Sequence, residues 1–392
     1  MSGMALTKPD RGPRRRGTSR SGTGRGTFQQ EDLLRMNWLA LPQIKWLVPF
    51  PLLVAIAPII WLFFRKTWRE LDDEAFAYRR SLHDRGEIDY RPLAALTLAA
   101  LILTLHEYYG TWAFYHESIQ PWLAGIEKRN PNGHIKMLTY DETYLRLWWA
   151  ATRVGGYLLP FAIWRLLFRR DSLLDFGLRP RGFREHAWIY ALCVAVMIPL
   201  MLVIKRQPDF GSYYPMYKNA GRSWFDFGLW EAIYILQFLG LEIFFRGWWI
   251  RANRVFGIGA IWSMAVPYCM IHYGKPYLEA CAAIIAGVVL GSLSMKTRSI
   301  YAGFLVHGTV AILMDILSLD ARAGLPTLVA PWSTKRITFL YWHSVIWVAW
   351  GLALAMVALK LWRLWRARAT RLALANAPPE AAEASPPLRP PV

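Results

Sequence analysis

An apolar segment over about 229–250 is the feature that most constrains the fold, because it is long enough to cross a bilayer and yet carries two opposite charges. Glu242 and Arg246 lie four residues apart, so on a helix they share one face and can pair. Charged groups are costly in hydrocarbon, and they usually face the interior of a bundle or a wet cavity. By itself, the pair is equally compatible with a structural ion pair and with a functional site.

The composition extends this argument to the whole chain. Of the 392 residues, 55% are hydrophobic and 21 are Trp, which is too apolar and too aromatic for an ordinary soluble domain. We therefore predict an all-α, polytopic integral membrane bundle with about eight or nine transmembrane helices. The net charge of +19 is concentrated in the tails and short loops. Such a distribution indicates membrane topology and contact with lipid headgroups, and it argues against a nucleic-acid partner.

The chain divides by composition into five parts. We predict a disordered basic N-terminal tail (1–40), N-terminal transmembrane segments with their connectors (41–168), a core (169–318), a loop with a C-terminal transmembrane helix (319–365), and a disordered Pro/Ala-rich tail (366–392). The first apolar segment, 46–64, is interrupted by prolines, so it either crosses the membrane or re-enters it. If the C-terminal tail is cytoplasmic, strict alternation places the Lys/Arg-rich loops 65–91, 169–186, 251–256 and 296–298 on the cytoplasmic side.

Further polar groups occur in the spans that follow Glu242. Tyr268 and His272 are four residues apart at the end of one span, and Lys275 and Glu279 are four apart at the start of the next. His307 lies near the middle of the span after that. A buried carboxylate near imidazoles is an arrangement that can hold and activate a water, so we expect Glu242, His272 and His307 to line one cavity. Another intramembrane histidine, His106, is more readily explained as structural.

Residues from about 170 to 318 resemble the CAAX protease and bacteriocin-processing (CPBP) family of integral membrane peptidases, the type II CAAX prenyl protease superfamily. The family motif Glu-Glu-x-x-x-Arg-Gly corresponds to 241–247, Phe-x-x-x-His to 268–272, and His-x-x-x-Asn/Asp to 307–311. The connector 175–180, Asp-Phe-Gly-Leu-Arg-Pro, also resembles one that the family carries upstream of the first motif. Three positions differ from the pattern: Leu241 replaces the first Glu, Tyr268 replaces Phe, and Ala311 replaces Asn or Asp.

The resemblance implies an intramembrane glutamic-type endopeptidase that hydrolyses a peptide bond of a membrane-tethered protein or peptide, in a multi-pass protein of the bacterial inner membrane. Glu242 would be the base or the group that orients it, and Arg246 would hold Glu242. His272 would share the water, and His307 would stabilise developing charge. Lys275, Glu279 and Tyr268 are the predicted substrate-binding residues, with Lys275 receiving a substrate carboxylate, although a surface ion pair explains the spacing of Lys275 and Glu279 equally well.

Other interpretations stay open. Because Leu241 replaces the first Glu, the protein could be a catalytically reduced homologue that binds or scaffolds a membrane partner. Intramembrane ionisable residues also occur in proton-coupled transporters. A zinc ion held by Glu242, His272 and His307 is chemically reasonable but less favoured, so we expect no metal and no other cofactor.

Overall fold

The computed structural model describes residues 47, 49–180, 185–206, 208–321 and 335–375, and within these ranges every regular element is a helix. The longer helices are α1 (Pro49–Asp84), α2 (Arg91–Tyr109), α3 (Gln120–Arg129), α4 (Met137–Leu167), α5 (Ala187–Ile204), α6 (Pro208–Tyr213), α7 (Trp224–Glu242), α8 (Gly259–Met270), α9 (Tyr277–Thr297), α10 (Tyr301–Ala321) and α11 (Lys335–Ala375). The predicted all-α class is confirmed.

Seven of the described helical segments are long and apolar enough to cross a membrane, compared with the eight or nine that the sequence predicts. The predicted spans at 147–168 and 257–272 are helical, as α4 and α8, but neither is among the seven. With 12 residues, α8 is only about 18 Å long, which is short of the roughly 30 Å hydrocarbon core. α4 carries Arg146, Arg153 and Arg165 along its length.

α1 begins at Pro49 and continues through 36 residues, so the prolines do not break it. Pro49 and Pro51 occupy the first turn, where no intrahelical N–H bond is lost, and only Pro58 lies in the interior. This helix is one of the seven candidate spans. Its second half is the charged connector predicted over 65–91, which therefore extends the helix beyond its apolar part.

The helical segment that contains the first motif, 241–247, changes from α-helix to π-helix within that motif. α7 begins after Ser223, whose Oγ accepts the backbone N–H of Asp226, and it ends at Glu242. The chain then continues as a π-helix over Ile243–Trp249 and a last turn over Ile250–Ala252. π-helical turns are rare and occur frequently at functional sites. The whole candidate span, Trp224–Ala252, is 29 residues long.

The core around this segment is aromatic. Phe244, Phe245 and Trp248 are fully buried, and they pack with Tyr157 and Trp164 of α4. On the other side, α7 runs antiparallel to α10: Trp230 donates to Asp315 Oδ2 over 2.5 Å near one end, and Glu242 contacts His307 near the other. α4 and α10 therefore hold the motif segment from two sides.

The predicted disordered tail 1–40 lies outside the described residues, as do residues 376–392 of the predicted C-terminal tail. Residues 366–375, the first part of that tail, are helical because α11 continues to Ala375. This stretch is rich in Arg, Ala and Leu, which are strong helix formers. The change to a Pro/Ala-rich composition follows only after it.

Candidate active site

Glu242 is the centre of a fully buried polar network. Its Oε1 lies 3.2 Å from Arg246 Nη1 and 3.1 Å from His307 Nδ1. Neither Glu242 nor Arg246 is exposed at all, and the side chain of His307 is 14% exposed. The Arg246 contact is an ion pair by distance and lacks the angles of a hydrogen bond. Since a carboxylate only accepts, His307 Nδ1 donates to it, and α10 is thereby joined to the motif segment.

The position of the other carboxylate oxygen of Glu242, Oε2, requires a glycine on the neighbouring helix α10. A Cβ placed on Gly303 would lie 2.4 Å from Glu242 Oε2, which is closer than a Cβ atom comes to another heavy atom. α10 can therefore pass directly beside the carboxylate only because residue 303 has no side chain. This close approach fixes the position of Glu242 relative to His307, which lies one turn further along α10.

Arg246 is held from several directions. Its guanidinium lies over the ring of Tyr268, 3.8 Å from the ring centroid, which is a cation–π geometry. Its carbonyl oxygen accepts from Arg251 Nη1 over 2.6 Å and from Ser294 Oγ over 3.0 Å. The cation thus contacts both the carboxylate of the first motif and the aromatic of the second.

His272 is buried, and its Nδ1 donates to the carbonyl of Tyr268 over 2.7 Å. In a neutral imidazole this bond leaves Nε2 as the nitrogen that accepts a proton. The Tyr268 ring connects the two histidines, since its centroid lies 4.7 Å from that of His272 and 6.3 Å from that of His307. The three motifs therefore meet around Tyr268 and Arg246.

A cavity of about 550 Å³ adjoins this network, and His272 lines it. The prediction that Glu242, His272 and His307 all line one cavity is wrong in part, because Glu242 and His307 are absent from its wall. The wall is formed there by Leu241, which stands where the family has its first Glu, and by Phe238, whose ring packs 4.2 Å from that of His307. Leu241 therefore lies on the cavity wall, whereas its neighbour Glu242 does not.

Of the predicted substrate-binding residues, too, only some lie on the cavity wall. Lys275 lines the cavity, whereas Tyr268 and Glu279 do not. Lys275 Nζ pairs with Glu279 Oε1 at 2.9 Å, and Tyr214 donates to the other Glu279 oxygen over 2.5 Å. Burial lowers the pKa of Lys275, but the charge and hydrogen bond of Glu279, together with the nearby Tyr213 and Tyr268, raise the pKa overall. The Lys275 ammonium was expected to receive a substrate carboxylate, but it already pairs with the carboxylate of Glu279.

The structure adds Arg153, on α4, to the residues that line the cavity. No carboxylate of the described residues lies within ion-pair distance of it. Burial raises the pKa of Tyr213, another lining residue, and the positive charges of Lys275 and Arg153 both oppose that shift. In the sequence, Arg153 is an arginine in an apolar stretch, and this alone does not show which other helices it faces.

Two other predicted positions are placed in apolar surroundings. Ala311 is buried in a cluster of hydrophobic side chains. His106 is buried with its ring against the edge of Tyr157, 4.6 Å between centroids, and it does not line the cavity. Among the described residues, no group of three His, Cys, Asp or Glu side chains is arranged to hold a metal ion, and this includes Glu242, His272 and His307.

Comparison with known proteins gives one match. Residues 223–313 match the family model described as Type II CAAX prenyl endopeptidase Rce1-like. No curated protein and no solved structure matches the chain. The matched segment contains all three motifs, the Tyr268–Arg246 contact and the Glu242–His307 bond, so this part of the chain is similar to the Rce1-like type II CAAX prenyl endopeptidases, in agreement with the resemblance that the motifs predict.

Proposed function

We propose that the protein is an intramembrane endopeptidase that hydrolyses a peptide bond of a membrane-tethered protein, using a water activated by histidine and glutamate. The observation that carries the proposal is the position of Glu242 Oε1 between Arg246 and His307, beside a cavity lined by His272. The family match supports a CAAX-type membrane protease in general. A bacterial inner membrane is the location that we propose.

The geometry supports Glu242 as a residue that positions the base His272 indirectly, through Arg246 and Tyr268, since its carboxylate does not reach the cavity wall. In our proposal, His272 takes a proton from a water in the cavity through Nε2, and the hydroxide attacks the carbonyl carbon of the substrate. The C–N bond then breaks, and the imidazolium returns the proton to the leaving amine. Glu242 also holds His307 through Nδ1, and His307, which lies behind Phe238 and outside the cavity wall, acts through this bond and not by contact with the substrate.

The proposed substrate presents a free carboxylate to Arg153. This arginine is the cation of the cavity that has no acidic partner among the described residues, whereas Lys275 is paired with Glu279. Apart from Glu107, Gln237 and His272, the rest of the wall is largely aromatic and aliphatic, which suits the apolar side chains of a peptide at the membrane. A peptide that ends close to the cleaved bond satisfies both features.

The proposal is tested with purified protein in nanodiscs and a quenched fluorescent peptide ending in Cys-aliphatic-aliphatic-X, with and without a farnesyl group on Cys. We expect His272→Ala to remain folded and to lose activity by about 10²–10⁴-fold, the usual contribution of general acid–base catalysis. Glu242→Gln leaves Arg246 without a counter-ion and should lower stability, so its loss of activity is measured per folded protein. His116→Ala, remote from the network and bonded to Gln120, is the matched control. A folded Glu242→Gln protein with wild-type cleavage would show that this carboxylate has no part in the reaction.

A second candidate function is that of a catalytically reduced homologue that binds a membrane partner. Two observations favour it: Leu241 presents an apolar side chain where the family has its first Glu, and Ala311 is enclosed in apolar core. Leu241→Glu separates the two functions, because it puts a carboxylate on the cavity wall. If the wild type cleaves nothing and Leu241→Glu gains cleavage, the reduced homologue is the correct description.

A further inference from the structure

A second pocket, of about 490 Å³, is lined by charged side chains that the proposed reaction does not use. Its arginines are Arg91, Arg170, Arg179, Arg251, Arg254 and Arg298. They come from the connections that strict alternation places on one side of the membrane, and the structure brings those connections together around a single concavity. We call this pocket the basic bowl.

Each carboxylate of the basic bowl is matched by one arginine. Glu74 pairs with Arg298, Asp171 pairs with Arg91 at 2.7 Å, and Asp175 pairs with Arg179 at 2.8 Å. These three carboxylates are the acidic side chains of the lining. The charges of three arginines are thus compensated within the bowl.

The other three arginines, Arg170, Arg251 and Arg254, have no carboxylate within ion-pair distance among the described residues. Arg254 lies over the ring of Tyr78, 4.3 Å from its centroid. Arg251 Nη1 and Nη2 donate to carbonyl groups, including those of Arg246 and Ser294. The Arg251 guanidinium is therefore occupied by carbonyl groups, while Arg170 and Arg254 are exposed and keep uncompensated positive charges in the lining of the bowl.

The basic bowl lies at the end of the bundle, away from the cavity. Leu241 lines the cavity and Arg251 lines the bowl, and ten residues of helix separate them by roughly 15 Å. The bowl also contacts α1 at residues 71–78, beyond the apolar part of that helix. Arg251 lies at the end of the candidate span Trp224–Ala252, where we place the lipid headgroups. Topology requires basic loops on one side, but it does not require their arginines to converge on one concavity.

We propose that the basic bowl binds a phosphate group, supplied by an anionic phospholipid or by a soluble phosphate compound. Guanidinium groups match the geometry of phosphate oxygens and bind them in a bidentate manner. Arg170 and Arg254, exposed and without a carboxylate partner among the described residues, provide two such groups around one concavity. The volume lies within the range of about 300–1,000 Å³ that is usual for ligand pockets.

The test compares Arg170→Gln/Arg254→Gln with Arg363→Gln/Arg368→Gln. Both double variants remove two exposed arginines, and the second pair lies on α11 outside the basic bowl. Retention of phosphatidylglycerol is measured by native mass spectrometry after extraction from nanodiscs that contain phosphatidylcholine and phosphatidylglycerol. Binding of inorganic phosphate and glycerol 3-phosphate is measured by calorimetry on the same proteins in neutral detergent.

We expect the bowl variant to lose affinity on the order of tenfold or more per arginine, since a hydrogen bond to a charged group contributes about 1.5–3 kcal/mol. The control should bind as the wild type does, and Arg170→Lys/Arg254→Lys should recover part of the affinity because it restores the charge. Binding of phosphatidylglycerol without the soluble compounds identifies a lipid headgroup, and binding of the soluble compounds identifies a free phosphate ligand. Equal binding by the bowl and control variants, or no binding by the wild type, would overturn the proposal.

Discussion

Two clusters of charged residues share the helical segment Trp224–Ala252, and they differ in whether their charges are paired. In the buried network, Glu242 is matched by Arg246 and bonded to His307. In the basic bowl, Arg251 and Arg254 have no carboxylate partner among the described residues. One turn of helix connects the clusters, because Arg251 Nη1 donates to the carbonyl of Arg246.

The difference follows from the surroundings of each cluster. A charge removed from water is tolerated only with a partner, and taking the partner away leaves a large desolvation cost. Near the surface, water and salt screen an unmatched charge, so it persists at little cost and remains available to a ligand. The network should therefore respond to substitution mainly in stability and catalysis, and the bowl mainly in binding.

The largest effect should follow from Arg246→Met, which keeps much of the side-chain volume but leaves Glu242 without a counter-ion. Breaking a buried pair in this way costs about 3–5 kcal/mol. We expect low abundance in membranes and a strongly reduced midpoint of thermal unfolding in detergent. Arg254→Met, at an exposed position of the bowl, should change stability by no more than about 0.5 kcal/mol. Equal unfolding midpoints for Arg246→Met and Arg254→Met would contradict this difference between the buried network and the basic bowl.

The next largest effect is expected for Gly303→Ala, which places a methyl group against Glu242 Oε2. Overpacking of this kind costs about 1–3 kcal/mol, and the displaced carboxylate should also impair cleavage of the quenched peptide. Gly308→Ala is the matched control on the same helix, because nothing lies within 4 Å of its added Cβ. There we expect unchanged activity and a stability equal to or slightly above the wild type, since Ala is the better helix former. If Gly303→Ala behaves like Gly308→Ala, the close approach does not hold the network.

Much of the fold and part of the site could be predicted from the sequence. Long apolar segments identify membrane helices directly, and a spacing of four residues makes the contact between Glu242 and Arg246 a local property of one helix. The sequence also indicated His307 and His272 through the motif resemblance. The structure then places His307 on Glu242 and His272 on the cavity wall.

The remainder depends on packing between elements that are distant in the chain. Arg153 reaches the cavity from α4, and no periodicity in the sequence relates it to Lys275. The division between Leu241 on the wall and Glu242 behind it is decided by how α7 is rotated against α10, where Gly303 permits the approach. The basic loops were predicted to share one side, but their convergence on one pocket is visible only in three dimensions.

Arg153→Gln examines a third situation, an unmatched charge on the wall of a cavity. The protein should stay folded because no buried partner loses its counter-charge. Removing one hydrogen bond to a charged group should raise KM for a peptide with a free carboxylate by roughly 10–100-fold, with little change in kcat. The same peptide with a C-terminal amide should be cleaved equally by the variant and the wild type. An equal loss for both peptides would mean that Arg153 does not recognise the carboxylate.

The smallest effect is expected where a matched pair is partly exposed, at Asp171 in the basic bowl. Arg91 holds both oxygens of this carboxylate, over 2.8 and 2.7 Å, and this contact lowers the pKa of Asp171. A pKa that is lower in the folded state contributes stability above the unfolded value of about 4, and the contribution disappears as the pH falls through the folded value. Asp171→Asn should therefore be less stable than the wild type by about 1 kcal/mol at most at neutral pH, with the two unfolding midpoints converging below about pH 4. Asp175→Asn provides the comparison, because that side chain is 66% exposed and its pair with Arg179 should contribute very little. A difference for Asp171→Asn that persists unchanged at low pH would mean that the aspartate stabilises the bowl through its shape and not through its charge.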